Sequence, residues 1–328
     1  MSSPSARETG IEYPAGLVSV IATADIPDPA RKLATGELVE WIRETPAGSF
    51  ALDRRFLPGI SDQAHTAQFI EIEEHSKTRE ESARHQVRFG QLLLHSPDDA
   101  EQSLYVAVKP FNTPRQAAHE YAVASYFSNG SIPGITTFRP LGVFNYAFGD
   151  GKNKYGVMSN YRHSVRSLDT VLWNPNAVND AAMVSKALGR AALTLGTLHI
   201  NEWTHGDAQV KNIAWDILQP VQTTFLIDVE EARPFPRWGG RIEPMAAAQN
   251  VREDIKWFLR TALYLKKNSS PDYEDLVKNN FCIGYTGMTA IHGRDVLKMP
   301  GIYPAYDELV SIFEEQRDEL KKRRSATA

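Results

Sequence analysis

Residues 203–216 read WTHGDAQVKNIAWD. Thr204, His205, Asp207, Gln209, Lys211 and Asn212 stand among bulky apolar residues in this stretch. Burying a polar group without a hydrogen-bond partner costs about 1–3 kcal/mol. So dense a polar turn is therefore either a working site or a turn satisfied internally for structure, and its neighbours in the chain decide between the two.

Downstream, residues 213–215 and 224–227 read as two short strands around a turn at Gln219–Pro220, and the second ends FLID, with Asp228 at the strand exit. Upstream, Asn179 and Asp180 start a helix whose apolar stripe is Val184, Leu188, Ala191, Leu195 and Leu198, at alternating spacings of four and three. A further helix is expected over residues 251–266, and the stretch from about Glu315 (EQRDELKKRRSATA) is expected to fray, either throughout or after beginning as the end of a helix. The KKRR run at 321–324 reads as a solvated helix end.

Before residue 163 the period changes. Ile70 and Ile72 alternate with Glu71 and Glu73, Val87 and Phe89 with Arg88, and Leu104, Val106 and Val108 with Tyr105, Ala107 and Lys109, which is the two-residue period of strands. Two more strands are expected near 136–147 and 155–162. One helix interrupts them. Thr113, Pro114 and Gln116 form its capping signal, with proline at the first helical position, and NGSIPG breaks it after residue 128. The fold class expected is α+β, with a mostly antiparallel sheet lobe carrying one helix followed by a helical lobe. The corresponding division is 1–64 as an extension with a possible helix around 36–43, then 65–163 and 164–328.

Two charges stand out in the first half. Lys109 lies on a strand face with Tyr105 and Ala107, and Glu120 lies inside the stripe Ala117, Glu120, Tyr121, Ala124 of the following helix. A glutamate facing a core almost always has a partner, and Lys109 is the economical one. The pair is either an ordinary strand–helix salt bridge or a lysine held ready for phosphate oxygens. In the second half, a carboxylate at a strand exit with a nearby amide oxygen suits magnesium, which takes a few hard oxygen ligands and keeps waters. Asp207 would then be free to accept a proton from an attacking hydroxyl. A positioned base, metal ligands and a cation on the phosphates are what phosphoryl transfer requires.

The bulk numbers exclude other classes. The chain has 328 residues, net charge -4 and a pI near 6.2, with no basic footprint for nucleic acid. Cys282 is the only cysteine, which rules out an internal disulfide and a cysteine cluster, and it reads as a small apolar filler. The start lacks the apolar core of a secretory signal, and no run reaches the roughly 18 apolar residues of a membrane span. A cytoplasmic protein without membrane or nucleic-acid partners is expected. His65, His75, His85 and His95 recur ten apart, a spacing that does not gather them on strands, and Trp41, Trp173, Trp238 and Trp257 are expected in cores or a cleft between lobes.

HGDAQVKN resembles the catalytic loop His-Gly-Asp-x-x-x-x-Asn of the aminoglycoside phosphotransferase and choline kinase branch of the protein-kinase-like superfamily, and LIDVE resembles that branch's Ile-Asp-x-Glu motif. VAVK at 106–109 resembles the family's Val-Ala-Ile-Lys strand. The resemblance covers about residues 65–265 and implies a bilobal kinase-like fold with ATP and magnesium as cofactors. Carried over by position, Asp207 is the catalytic base, Asn212 and Asp228 are magnesium ligands, Lys109 binds the α/β phosphates braced by Glu120, and His205 is structural. Asp254 is matched to the buried aspartate that supports the catalytic loop, and Glu230 to a second carboxylate at the metal or a cap of the turn.

The chain departs from the pattern in three places. The loop EEHSKTREESARH holds no glycine where the family carries a glycine-rich phosphate loop, leaving Ser76, Lys77, Thr78 and Arg79 as side-chain donors, with Ser76 and Thr78 the nucleotide-binding candidates. Gln209 stands two residues after the base, and Lys211 is either the group that reaches the γ-phosphate in its place or a surface residue. Gly206 replaces the arginine of regulated protein kinases, and no Ala-Pro-Glu signature follows Asp228. Gly206 and the missing signature lean away from a regulated protein kinase, and the acceptor expected is a hydroxyl-bearing small molecule. The alternatives are a protein acceptor, as in compact toxin kinases of the HipA type, and a pseudokinase that binds a partner without catalysis.

Overall fold

The computed structural model describes residues 18–22, 35–45, 47, 49–53, 65–71, 87–95, 101–148, 152–162, 164–173, 181–216, 224–265, 271–291 and 301–327. Ser76, Thr78, Lys77 and Arg79, the Gln219–Pro220 turn, His75 and His85 fall outside the described residues. The chain divides into two compact units, one formed by 1–125 with 139–161 and the other by 126–138 with 162–328.

The first unit is built from β1 (Val18–Ala22), α1 (Thr35–Glu44), β2 (Ser49–Leu52), β3 (His65–Glu71), β4 (Arg88–His95), β5 (Glu101–Phe111), α2 (Pro114–Ser128, which runs on into the second unit), β6 (Pro140–Phe148) and β7 (Lys152–Asn160). Its strands close into a barrel in the order β1-β2-β6-β7-β5-β4-β3, and only the β1–β2 pairing is parallel. Closure removes the exposed edges an open sheet would present. It depends on β1 and β2, which come from the first 64 residues. The alternation expected at 104–109 is visible in the burial of Val106 and Val108, which join Leu38, Ile42, Leu52, Leu92, Phe111, Val143 and Phe144 in the core. Helix α2 starts as its capping residues require. Thr113 Oγ1 accepts from the Gln116 amide at 3.3 Å and donates to Gln116 Oε1 at 3.0 Å. Its inner face buries Ala117, Ala118 and Tyr121, and the Tyr121 hydroxyl donates to the fully buried Asp53 at the end of β2.

The second unit contains β8 (Val165–Ser167), α3 (Leu168–Trp173), α4 (Ala181–Ile200), β9 (Trp203–Thr204), β10 (Ile213–Asp216), β11 (Thr224–Leu226), β12 (Arg233–Pro234), β13 (Arg237–Trp238), β14 (Arg241–Ile242), α5 (Pro244–Tyr264), α6 (Pro271–Ile291) and α7 (Tyr306–Thr327). All five stripe residues of α4 are buried, and α4 packs along α6. Helix α5 begins at Pro244, seven residues earlier than the periodicity suggested, because proline fits the first helical turn where its missing N–H has no partner to lose.

The C-terminal stretch differs from expectation. Instead of fraying from residue 315, α7 runs to Thr327. Leu309, Phe313, Gln316 and Leu320 are buried on one face. A row of ion pairs ties it to α5: Arg252 to Glu308, Lys256 to Glu315 at 3.5 Å and Arg260 to Glu319 at 2.8 Å. Polar composition hid a helix whose charges are partnered across the packing line. Trp238 also differs. It lies beside the Gly239–Gly240 turn of the β13–β14 hairpin, both glycines left-handed, and is 80% exposed. Among the described residues, no helix is long and apolar enough to cross a membrane. The α+β class is as expected, with a helix-bearing sheet unit and then a helical unit that contains the polar loop.

Candidate active site

In the first unit, β5 and α2 bring Lys109 and Glu120 together. Lys109 Nζ lies 3.3 Å from Glu120 Oε2, and both side chains are about nine-tenths buried. The ammonium also stands over the Phe111 ring, 5.0 Å from its centroid. Strand register explains the placement. Lys109 pairs with Val157 of β7, three residues before β5 gives way to the turn that starts α2, so the first turns of α2 fold back over it.

In the second unit, the stretch 203–216 is a sequence of short elements. β9 pairs with β12, Thr204 with Arg233 and Trp203 with Pro234. The Trp203 ring stacks on Tyr126 and meets Phe127 edge-on, with centroids 5.1 Å away in each case. The chain then turns at Gly206, forms one 3-10 turn over residues 210–212 and enters β10. β10 pairs with β11 so that Ile213 faces Leu226, and the next backbone bond, Ile227 N–H to the Asn212 carbonyl at 2.9 Å, sets Asp228 beside the loop's exit. A hairpin register thus does what the sixteen-residue separation in sequence conceals.

Asp207 is held from two sides. Gln209 Nε2 donates to its Oδ1 at 2.7 Å, and Asn212 Nδ2 donates to its Oδ2 at 3.0 Å and to its carbonyl at 2.9 Å. Gln209, which the sequence marked only as a departure, is therefore a second clamp on the carboxylate. Asn212 is buried, and with its amide nitrogen committed to Asp207 its side-chain oxygen is the atom left to serve as a hard donor. Asp228 adopts a left-handed backbone, φ 58 and ψ 55, one of two described non-glycine residues with positive φ. Aspartate tolerates that region better than most residues, at a cost near 1 kcal/mol. The twist begins the 3-10 turn that brings the carboxylate oxygens of Asp228 and Glu230 within 4.8 Å of each other.

The loop rests on α5. Asp254, 1% exposed inside the apolar stripe of that helix, accepts from the His205 amide at 2.7 Å and the Gly206 amide at 2.9 Å. Thr261 Oγ1, about two turns further along α5, accepts from the Val210 amide at 3.1 Å. A carboxylate taking two backbone donors fixes the residues immediately before Asp207. His205 is fully buried, and neither ring nitrogen has a partner among the described residues. Gly206 has φ +79, and a Cβ there would lie 2.4 Å from the Glu231 carbonyl oxygen. Position 206 has no room for a side chain unless its neighbours shift. Lys211 is half-buried in the 3-10 turn with no ion pair among the described residues.

The residues present suit a magnesium ion by their chemistry: two close carboxylates and an amide oxygen, all hard donors on backbone fixed by register. Cys282 is buried, and its thiol is pushed up to about 11 by burial, against the pull of Lys278, as befits a core filler. His65 and His95 lie on β3 and β4. Asp272, Glu274 and Asp275 lie along the first turns of α6, with Asp275 3.1 Å from Lys278.

No protein-family model matches the chain, and no curated protein matches it in sequence. Among solved structures it is similar to WaaP in complex with acyl carrier protein, at 15% identity and a TM-score of 0.40, over 68% of this chain and 88% of that one. A likeness at that level leaves the functional reading to the chain's own residues.

Proposed function

We propose that this chain is an ATP-dependent phosphotransferase that moves the γ-phosphoryl group to a hydroxyl, with a small molecule as acceptor. The observation that carries the reading is the Asp207 carboxylate, clamped by Asn212 and Gln209 on a loop whose backbone is tied to a buried aspartate. A structural turn needs no carboxylate held with its remaining lone pairs unspent.

Each oxygen of Asp207 accepts one amide and keeps a lone pair for the acceptor's O–H, so it orients the hydroxyl and takes its proton as the new P–O bond forms. Asn212 and Asp228, with Glu230 beside Asp228, would hold magnesium, which when bound offsets charge on the phosphate oxygens. Lys109, paired with Glu120, binds the α and β phosphates as a fixed cation. Lys211 is the candidate cation for the γ-phosphate, and Ser76 and Thr78 are candidate hydroxyl donors to the nucleotide. Gly206 supports a small acceptor, because its packing against Glu231 leaves no arginine to grip a phosphorylated activation loop.

ATP turnover with magnesium, measured on wild type and Asp207→Ala with a panel of sugars, amino alcohols and no acceptor, tests this. A loss of about 10²–10⁴-fold at an unchanged melting temperature is expected. Equal turnover in the two proteins would remove Asp207 from the mechanism.

A further inference from the structure

Three helices of the second unit meet at one imidazole. His199 sits in the last turn of α4 and is fully buried. Its Nε2 lies 3.1 Å from Asp254 Oδ2 on α5, and its Nδ1 lies 2.8 Å from the hydroxyl of Tyr285 on α6. The Tyr285 ring meets the imidazole edge-on, with centroids 5.7 Å apart, and the Tyr303 hydroxyl donates to the His199 carbonyl at 3.2 Å. Asp254 Oδ2 also takes the His205 amide, and its Oδ1 takes the Gly206 amide. The proposed mechanism uses none of His199, Tyr285 or Tyr303.

The proton positions follow from what each atom can do. Burial holds the Tyr285 hydroxyl well above its ordinary pKa, with Tyr303 and Asp254 pushing the same way, so it keeps its proton. Its hydroxyl has no acceptor other than His199 Nδ1 among the described residues. An Nδ1–H tautomer would turn the Nε2 lone pair toward a carboxylate oxygen at 3.1 Å, acceptor against acceptor. The Nε2–H tautomer satisfies both ends, and it gives Asp254 a third donor besides the two loop amides. A carboxylate with three fixed donors has one orientation.

We infer that Tyr285 and His199 are positioning residues for the Asp207 loop. Tyr285 sets the His199 tautomer, His199 orients Asp254, and Asp254 fixes the backbone of His205 and Gly206 directly before Asp207. The inference rests on the proposed role of Asp207 for its effect on rate, and on hydrogen bonding alone for its effect on the loop.

The test uses the full chain with three variants, Tyr285→Phe, His199→Gln and His199→Leu. Glutamine offers a donor to Asp254 and an acceptor to Tyr285, whereas leucine fills the space and offers neither. The expected result is kcat for ATP turnover about tenfold lower in Tyr285→Phe and His199→Leu, with KM for ATP within about twofold, and most of kcat kept in His199→Gln. Ring-nitrogen NMR of wild type should show the Nε2–H form, and the His205 and Gly206 amides should exchange faster in Tyr285→Phe. A purely packing role would lower the melting temperature of all three and leave kcat per folded molecule unchanged, which would overturn the inference. So would an Nδ1–H ring in the wild type. If the wild type shows no turnover, the phosphotransferase reading fails on its own, and amide exchange still decides: equal protection in wild type and Tyr285→Phe overturns the positioning role.

Discussion

Replacing Gly206 with alanine asks whether the loop is held as tightly as its contacts state. The backbone there has φ +79, a region that costs an L-residue about 1–2 kcal/mol. The new Cβ would also stand 2.4 Å from the Glu231 carbonyl oxygen and 2.8 Å from its Cβ, closer than such atoms approach, so the loop or the 229–231 turn must shift. Crowding of that kind costs about 1–3 kcal/mol. Together the two effects come to about 2–5 kcal/mol, or a drop of roughly 4–20 °C in melting temperature for a unit of this size. Gly240→Ala separates them. Its φ is +80, nearly the same, but a Cβ there meets nothing within 4 Å, so it carries only the backbone strain. Urea unfolding and ATP turnover of both variants make the comparison. Gly206→Ala should be the less stable by about 1–3 kcal/mol, and it alone should lose turnover, since the displaced residue is next to Asp207. Equal unfolding midpoints in the two variants would refute the contact between the loop and the 229–231 turn.

Two further outcomes are expected. Lys109→Met leaves Glu120 buried without its cation, which costs about 3–5 kcal/mol, and should abolish thermal stabilisation by ATP. Lys109→Met combined with Glu120→Gln should regain most of the stability and none of the ATP effect, and a single variant as stable as wild type would show the buried pair to be absent. The alkaline limb carries a definite sign. The Cys282 thiol is pushed up to about 11 and the Tyr303 hydroxyl to about 12, each chiefly by burial. Groups raised in the folded state contribute stability that is complete below their unfolded values and lost as pH rises through the folded ones. The urea midpoint should therefore fall between about pH 9 and 12, less steeply in Cys282→Ala, and a flat midpoint across that range would contradict the burial of these groups.

Local signals reached a long way into the fold. The stripe of α4, the capping residues of α2 and the alternation on β5 are short-range patterns, and the burial of a face follows from them almost directly. The pairing of Lys109 with Glu120 was equally legible, because a carboxylate within an apolar stripe needs a cation and only a few residues separate the strand from the helix. The polar C-terminal helix was not legible in this way. Its stability comes from ion pairs and contacts to α5 some 56 residues away in sequence, as in Arg252 with Glu308, and nothing local to the stretch announces a partner that distant.

The sequence by itself determined which chemical groups this protein offers: an aspartate and an asparagine five apart, an aspartate at a strand's end and a lysine beside a buried glutamate. Those follow from residue type and periodicity. Tertiary structure alone decided how the loop is held: the closing of the barrel by β1 and β2, the clamp of Gln209 on Asp207, the exclusion of any side chain at Gly206, and the buried path from Tyr285 through His199 to Asp254. Each of these depends on chain segments brought together by packing, where a shift of an ångström makes or breaks a hydrogen bond, and spacing along the chain does not encode such distances.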